Sequence, residues 1–250
     1  MTRARMQEAG DVSLEGIIAD MPLFEACSQG FIAKLAAQSQ LIRVEKGQLL
    51  FVHGDEAARF FLVRQGWVKL FRETLDGAQA VVDILPQGHL FGETSIFENG
   101  LYPYSAEMAE SGGIVAMPLS LLKAEMEENQ RFALSLLGLM AQYRKQQDKE
   151  LEHRVLQNAP QRIGCFLLRL VDQSADGPVV IHLPYDKTLV ASRLGMQPET
   201  FSRALGKLKD ATGIKIKGAT VDIASLERLM EFSCSACSST FPCQDKADTP

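Results

Sequence analysis

Two sets of side chains are spaced for chemistry. The first is Glu199, Thr200, Ser202, Arg203 and, one helical turn on, Lys207. An arginine can hold guanine through two hydrogen bonds, and a carboxylate can accept from the amino group of cytosine. Glu199 and Arg203 also stand four residues apart, the spacing of an ion pair along a helix. Both roles are compatible, because the pair would orient Arg203 before it met a base. The second set is Cys234, Cys237 and Cys243, spaced C-x2-C-x5-C. Three thiols within ten residues can face one centre, and thiolates suit zinc or an iron–sulfur cluster. No fourth local ligand accompanies them, so a tail bearing ordinary thiols is the alternative reading.

The first set lies in a basic island. From Lys187 to Lys217 there are seven cations, Lys187, Arg193, Arg203, Lys207, Lys209, Lys215 and Lys217, against the carboxylates Glu199 and Asp210. That leaves the island at +5 and the remainder at −10, within a chain of net charge −5. Such a localised patch is an electrostatic footprint for a polyanion, and it places double-stranded DNA first among partners. No aromatics interleave with the basic residues for base stacking, which argues against single-stranded RNA. The composition, 46% apolar and 23% charged, suits a globular chain and excludes a disordered one. No run approaches the roughly 20 apolar residues of a membrane helix. The first twenty residues carry no apolar signal-peptide core, so a cytoplasmic location is expected.

The elements that must position the first set are legible. Leu189, Val190 and Leu194 give one helix an apolar face, and Phe201, Leu205 and Leu208 give the next helix another. Gly195 permits the positive φ of a tight turn between them, and Pro198 fits the first turn of the second helix. Ile214 to Ile223 alternates apolar and polar around Gly218-Ala219, as a hairpin does. In that hairpin Lys215 and Lys217 would meet phosphates, which position a protein without reading sequence. A short strand, Val179 to Leu183, precedes this unit.

Further upstream, Leu14, Ile17 and Ile18, then Phe31, Ile32, Leu35 and Ala36, mark short helices. Short β pieces follow at Leu49–Val52, Phe60–Val63, Trp67–Phe71, Ala80–Leu85 and Gly113–Met117, punctuated by glycines. Residues 119–127 return to helical texture, and a long helix is expected over 130–156, about 40 Å at 1.5 Å per residue. Ala133, Leu137, Met140, Arg144, Gln147 and Leu151 follow a heptad register along it. That stripe reads as a dimer seam, with a solvated connecting helix as the alternative. Polar Arg144 and Gln147 would weaken the seam and make association depend on a signal. Pro160 opens the next helix, with Ile163, Phe166, Leu167, Leu170 and Val171 on one face and Gly177-Pro178 as its stop. The expected organisation is a sensor unit at 1–128, a dimerisation helix at 129–157, a DNA-binding unit at 158–232 with a hinge at 157–160, and a cysteine-bearing tail at 233–250.

This α+β order of β-roll, long helix and C-terminal winged helix-turn-helix resembles the Crp/Fnr family of bacterial transcription regulators over about residues 20–230. Leu183-Pro, Leu189-Val-Ala191 and Gln197-Pro-Glu-Thr-Phe-Ser-Arg203 are most similar to its nitric-oxide-responsive Dnr branch. Glu199, Ser202 and Arg203 match the Glu-x-x-Ser-Arg set of the Fnr side. The resemblance implies a homodimer on two TTGAT-type half-sites, with RNA polymerase as a further partner. Phe91-Gly92-Glu93 matches the family's cyclic-nucleotide pocket, but Pro103-Tyr104-Ser105-Ala106 stands where an Arg-Ser/Thr-Ala would hold the cyclic phosphate. Tyr104 offers no cation, so the expectation is a structural corner that does not bind cyclic AMP. A redox or diatomic-gas signal, oxygen or nitric oxide, is expected instead.

The cofactor stays open. Enteric Fnr proteins cluster cysteines ahead of the roll, whereas here only Cys27 lies there. A Gram-positive branch places cluster cysteines at the C-terminus, as Cys234, Cys237 and Cys243 would. Haem is implied by the Dnr likeness, yet none of His53, His89, His153 and His182 is marked as an axial ligand, and Cys165 reads as packing. Two alternatives remain: another small ligand in the β-roll, and a β-roll metalloenzyme. The latter would have only His89 and Glu93 as a sparse ligand set, so no enzyme activity is expected.

Overall fold

A computed structural model describes residues 13–171, 178–183 and 186–238. Cys243 and Gly177 lie outside the described residues. Helices α1 (Leu14–Ala19) and α2 (Gln29–Ala37) each begin at a serine, Ser13 and Ser28, whose hydroxyl accepts from a first-turn amide. Six strands follow: β1 (Gln40–Val44), β2 (Leu49–Phe51), β3 (Arg59–Glu73), β4 (Gln79–Leu85), β5 (Leu90–Phe91) and β6 (Ser105–Pro118). They form one antiparallel sheet in the order β1-β6-β3-β4, with β2 paired to β6 and β5 to β3.

The sequence suggests breaks within β3 and β6 that the structure does not have. Phe60–Val63 and Trp67–Phe71 are halves of one 15-residue strand, and Gly113–Met117 is the end of a 14-residue one. The glycines between the halves are bulges. Gly66 has φ +86°, and a Cβ there would stand 2.6 Å from the Glu110 carbonyl oxygen. At Gly112 a Cβ would stand 1.9 Å from the Gln65 carbonyl oxygen. The register shifts between Val63 and Val68, so the two long strands bend together and curl the sheet into a roll.

Helices α3 (Leu119–Glu128) and α4 (Gln130–Leu156) close the roll. Phe132, Leu136 and Leu139 of α4 are buried with Phe24, Phe60 and Leu122, and the Phe24 and Phe132 rings stack at 5.9 Å. Each fully buried apolar side chain contributes roughly 1.5–3 kcal/mol, so the first half of α4 is fixed to the roll. The second half leaves it. Among its exposed apolar groups, Leu134 and Leu137 lie on one stripe with Leu151 and Val155. Spacings of three and four carry that stripe through Ala141, Arg144 and Asp148. Of the expected seam positions, Leu137, Arg144 and Leu151 lie on it, and Gln147 is exposed beside it. Met140 lies between the two faces: it is half-buried and packs partly against the roll's core, next to Leu136 and Leu139.

Gln157 is extended at the end of α4 (φ −94°, ψ 141°), and Asn158 starts α5 (Ala159–Arg169) with a capping box to Gln161. The C-terminal unit then runs β7 (Val179–His182), α6 (Lys187–Arg193), α7 (Pro198–Thr212), β8 (Lys215–Lys217), β9 (Thr220–Ile223) and α8 (Leu226–Cys234). Its strands form a sheet in the order β7-β9-β8. Its core joins Ile163, Leu167, Val190, Phe201, Leu208 and Val221.

Candidate nucleic-acid interface

The described C-terminal unit turns a basic face outward. Asp186 caps α6 by accepting from the Thr188 amide at 2.9 Å, Gly195 takes φ +62° in the turn, and Pro198 is the first residue of α7. Phe201, Ala204 and Leu208 anchor α7 in the core. That leaves Glu199, Ser202, Arg203 and Lys207 exposed, with Thr200 half-buried beside them. Lys187 at the start of α6 and Lys215 and Lys217 on β8 are exposed as well. The β8–β9 turn is Gly218-Ala219, with Gly218 at φ +61°. All eight expected DNA-contacting residues therefore sit on helix-turn-helix or wing. No ion pair joins Glu199 to Arg203 among the described residues, so both side chains stand available to a base edge.

One member of the basic island does not belong to this face. Arg193 is only 8% exposed. Its Nε donates to Asp83 Oδ1 of β4 at 2.7 Å, and its Nη1 donates to Glu150 Oε2 of α4 at 2.8 Å. Arg169 holds the same Glu150 at 2.8 Å. Burial alone would raise the Glu150 pKa, but the hydrogen bonds and charges of Arg193 and Arg169 outweigh it and hold the carboxylate at about 2. Leu189, expected on the inner face of α6, packs with Leu170 against Trp67, Ile84 and Ala109 of the roll. His182 Nε2 stands 3.5 Å from Glu110 Oε1. The helix-turn-helix is thus docked on the β-roll by an apolar patch with a buried ion network at its edge.

The roll's corner differs from an open ligand pocket. Gly92 takes φ +85°, and Glu93 behind it is 2% exposed. Burial pushes the Glu93 carboxyl up to about 7, although Tyr143 of α4 hydrogen-bonds to it. Glu93 Oε2 and Ser95 Oγ are buried without a partner among the described residues. Near Tyr104 the cation is Arg72, which is exposed, donates to the Pro103 carbonyl at 2.9 Å and lies 5.8 Å from the Tyr104 ring.

The thiols are arranged in a chain. Cys237 Sγ stands 3.3 Å from His153 Nε2, and Cys165 Sγ stands 3.7 Å from Nδ1 of the same ring. Burial, then the Arg169 charge, lowers the His153 pKa, which keeps the ring neutral. The two sulfurs face opposite nitrogens, so the three groups share no centre. Among the described residues no three His, Cys, Asp or Glu side chains could hold a metal ion. Cys243, the third thiol of the expected set, lies outside the described residues, so that set is not assembled here. Burial and the nearby Glu125 push the Cys27 thiol up to about 12, which makes it a poor ligand. No local pattern marks His153 for its contacts with the two thiols.

Comparison with known proteins agrees with this architecture. A cyclic nucleotide-binding domain profile matches residues 41–129, and a Crp-like helix-turn-helix domain profile matches residues 161–232. A crystal structure from Ruegeria pomeroyi, provisionally named a cyclic nucleotide binding protein, is 31% identical. It superposes with a TM-score of 0.68, covering 90% of this chain and 98% of that one. The chain belongs to the Crp/Fnr family. Two curated Crp/Fnr relatives bracket it. One is the CRP-like cAMP-activated global transcriptional regulator of Mycobacterium tuberculosis, 26% identical over 86% of this chain and 98% of that protein. The other is the fumarate and nitrate reduction regulatory protein of Escherichia coli, 24% identical over 76% and 77%. As a Crp/Fnr protein, the chain is a DNA-binding transcription regulator. Among the described residues no helix is long and apolar enough to cross a membrane.

Proposed function

We propose that the protein is a cytoplasmic homodimer that reads TTGAT-like half-sites and regulates transcription with RNA polymerase in response to a redox or diatomic-gas signal. The carrying observation is the exposure of Glu199, Ser202 and Arg203 on one side of α7 while Phe201 and Leu208 are buried on the other. Arg203 and Glu199 read base edges, and Lys187, Lys207, Lys215 and Lys217 hold phosphates. The exposed stripe of α4 supports pairing of two copies, which sets two α7 helices about one DNA turn apart.

A redox signal is supported by the thiol–imidazole–thiol chain, which spans α4, α5 and the turn after α8 at the hinge. Among the described residues the cation beside Tyr104 is the exposed Arg72, which speaks against a buried cyclic phosphate. The sequence likeness to the Dnr branch favours nitric oxide within the gas class. A second reading is a small hydrogen-bonding ligand in the roll, favoured by the unpartnered Glu93 Oε2 and Ser95 Oγ.

Gel-shift competition between a TTGAT-type palindrome, a random duplex and RNA tests the DNA reading. The palindrome should win by at least a hundredfold over the random duplex at fixed salt. Equal binding of all three would refute it. Repeating the titration with nitric oxide, a thiol oxidant and cyclic AMP tests the signal. Only cyclic AMP changing the affinity would overturn that part.

A further inference from the structure

A pocket of about 30 Å³, partly open to solvent, lies at the junction of α4, α5 and α6 and is not used in DNA reading. Its charged lining is Glu150 and Arg154 from α4, Arg162 and Arg169 from α5, and Arg193 from α6, with His153 beside them. Glu150 is already bonded to Arg169 and Arg193, and Asp83 holds the far edge of Arg193. Neither Arg154 nor Arg162 has a carboxylate partner among the described residues. The Arg162 guanidinium donates to the Leu194 carbonyl. Glu152, on the same helix as Arg154, is engaged by the Ser238 amide and hydroxyl instead. Burial, then the charge of Arg154, pushes the Arg162 pKa down against the pull of Glu150, so half-buried Arg162 faces the repulsion of a second, exposed cation at the pocket mouth.

We propose that this pocket is an oxyanion site in which Arg154 and Arg162 hold a phosphate-type group. Guanidinium forks match pairs of oxyanion oxygens and do so without losing charge. One water needs about 10–15 Å³ in such a space, so the pocket takes a small oxyanion or the phosphate end of a larger molecule whose remainder stays outside. An anion there relieves the repulsion between Arg154 and Arg162. It also ties together the three helices that meet at the pivot, one of which is the first helix of the helix-turn-helix.

The test uses the full chain and inorganic phosphate, with sodium chloride at matched ionic strength as the reference. Calorimetry should show phosphate binding, and the melting temperature should rise over the chloride reference. Arg154→Gln with Arg162→Gln should weaken phosphate at least tenfold and erase that rise. Arg162→Lys keeps the charge without the fork and should fall between, which preserves the test if the double variant folds poorly. Lys207→Gln, on the DNA face, should leave phosphate binding intact. A 5′-nucleoside monophosphate binding more tightly than phosphate, with the same arginine dependence, would mark the phosphate of a larger ligand; equal binding would mark the free ion. Phosphate binding no stronger than chloride, unchanged in Arg162→Lys, or lost in Lys207→Gln would overturn the proposal.

Discussion

Arg193 and Asp83 are 110 residues apart in sequence and 2.7 Å apart in space, and their ion pair joins the helix-turn-helix to the β-roll. Glu150 of α4 completes the join by accepting from the same guanidinium. A single side chain thus touches the DNA-binding unit, the sensor sheet and the long helix. Any signal that moves α4 relative to the roll must strain or break this contact, which shifts the balance between docked and undocked arrangements.

Removing the arginine should therefore be severe. Arg193→Ala leaves Asp83 without its cation and Glu150 with Arg169 alone, and losing one partner of a buried ion pair costs about 3–5 kcal/mol. Denaturant unfolding should show that loss. Proteolysis at residues 157–160 should quicken in the variant under native conditions. Unchanged stability and cleavage would mean that the units are not held by this contact.

Acid should act on the same network through Glu150. Its folded pKa of about 2 lies below the ordinary 4.5. The stabilisation is present above 4.5 and is lost as pH falls from there towards 2, with a full value of about 3 kcal/mol. Glu150→Gln should flatten the acid limb of a stability–pH curve between pH 4.5 and 2. It should also lower stability at neutral pH, where the charged pairing is missing.

Glu93 should behave in the opposite sense. Its folded pKa is raised from 4.5 to about 7. The folded state therefore holds its proton more tightly, and stability falls as pH rises from 4.5 to 7, by about 3 kcal/mol in all. Glu93→Gln is isosteric with the protonated form. It should be more stable than the parent at pH 8 and nearly equal at pH 4.5, as read by chemical denaturation at both values.

On DNA, Arg203→Ala should lose roughly 1–3 kcal/mol at one base position and relax the preference there. Lys217→Ala should weaken all sequences alike and lower the salt dependence. Binding to a panel of single-substitution duplexes separates these outcomes. If both variants kept identical base preferences, the assigned roles would be wrong.

Along α4, Leu151→Glu should raise the dimer dissociation constant at least tenfold in sedimentation, because Leu151 is exposed on the stripe. Met140→Ala should instead lower the melting temperature of the protein with little change in dissociation, because Met140 packs partly against the roll's core. The reverse pattern would put Met140 in the seam.

What the sequence disclosed, and what it hid, follow from the range of the interactions. Helix α7 was legible because Phe201, Leu205 and Leu208 recur at helical spacing beside Pro198, and the wing because Ile214 to Ile223 alternates. These are local patterns that the fold keeps. β3 and β6 look like fragments in the sequence because glycines such as Gly66 punctuate it. Only the crossing of the two strands makes them bulges. Met140 shows why a heptad count alone is ambiguous: a helix packed on one side and exposed on the other carries two apolar faces, and Met140 sits where they meet. Arg193 looked like one more DNA-facing cation because its partners lie in β4 and α4. A single local hint existed: Asp83 interrupts the apolar run Val81-Val82-Asp83-Ile84-Leu85 and calls for a cation. Nothing local marked His153, whose two neighbours come from α5 and from beyond α8.

The residues after β9 have a mechanical meaning. Gln157, buried at the pivot, donates to the Ser233 carbonyl, Gln161 donates to the Ser235 hydroxyl, and Glu152 accepts twice from Ser238. This strap splints the joint from outside. Replacing Ser235 and Ser238 by alanine would loosen the joint without altering a single residue of the helix-turn-helix or the β-roll.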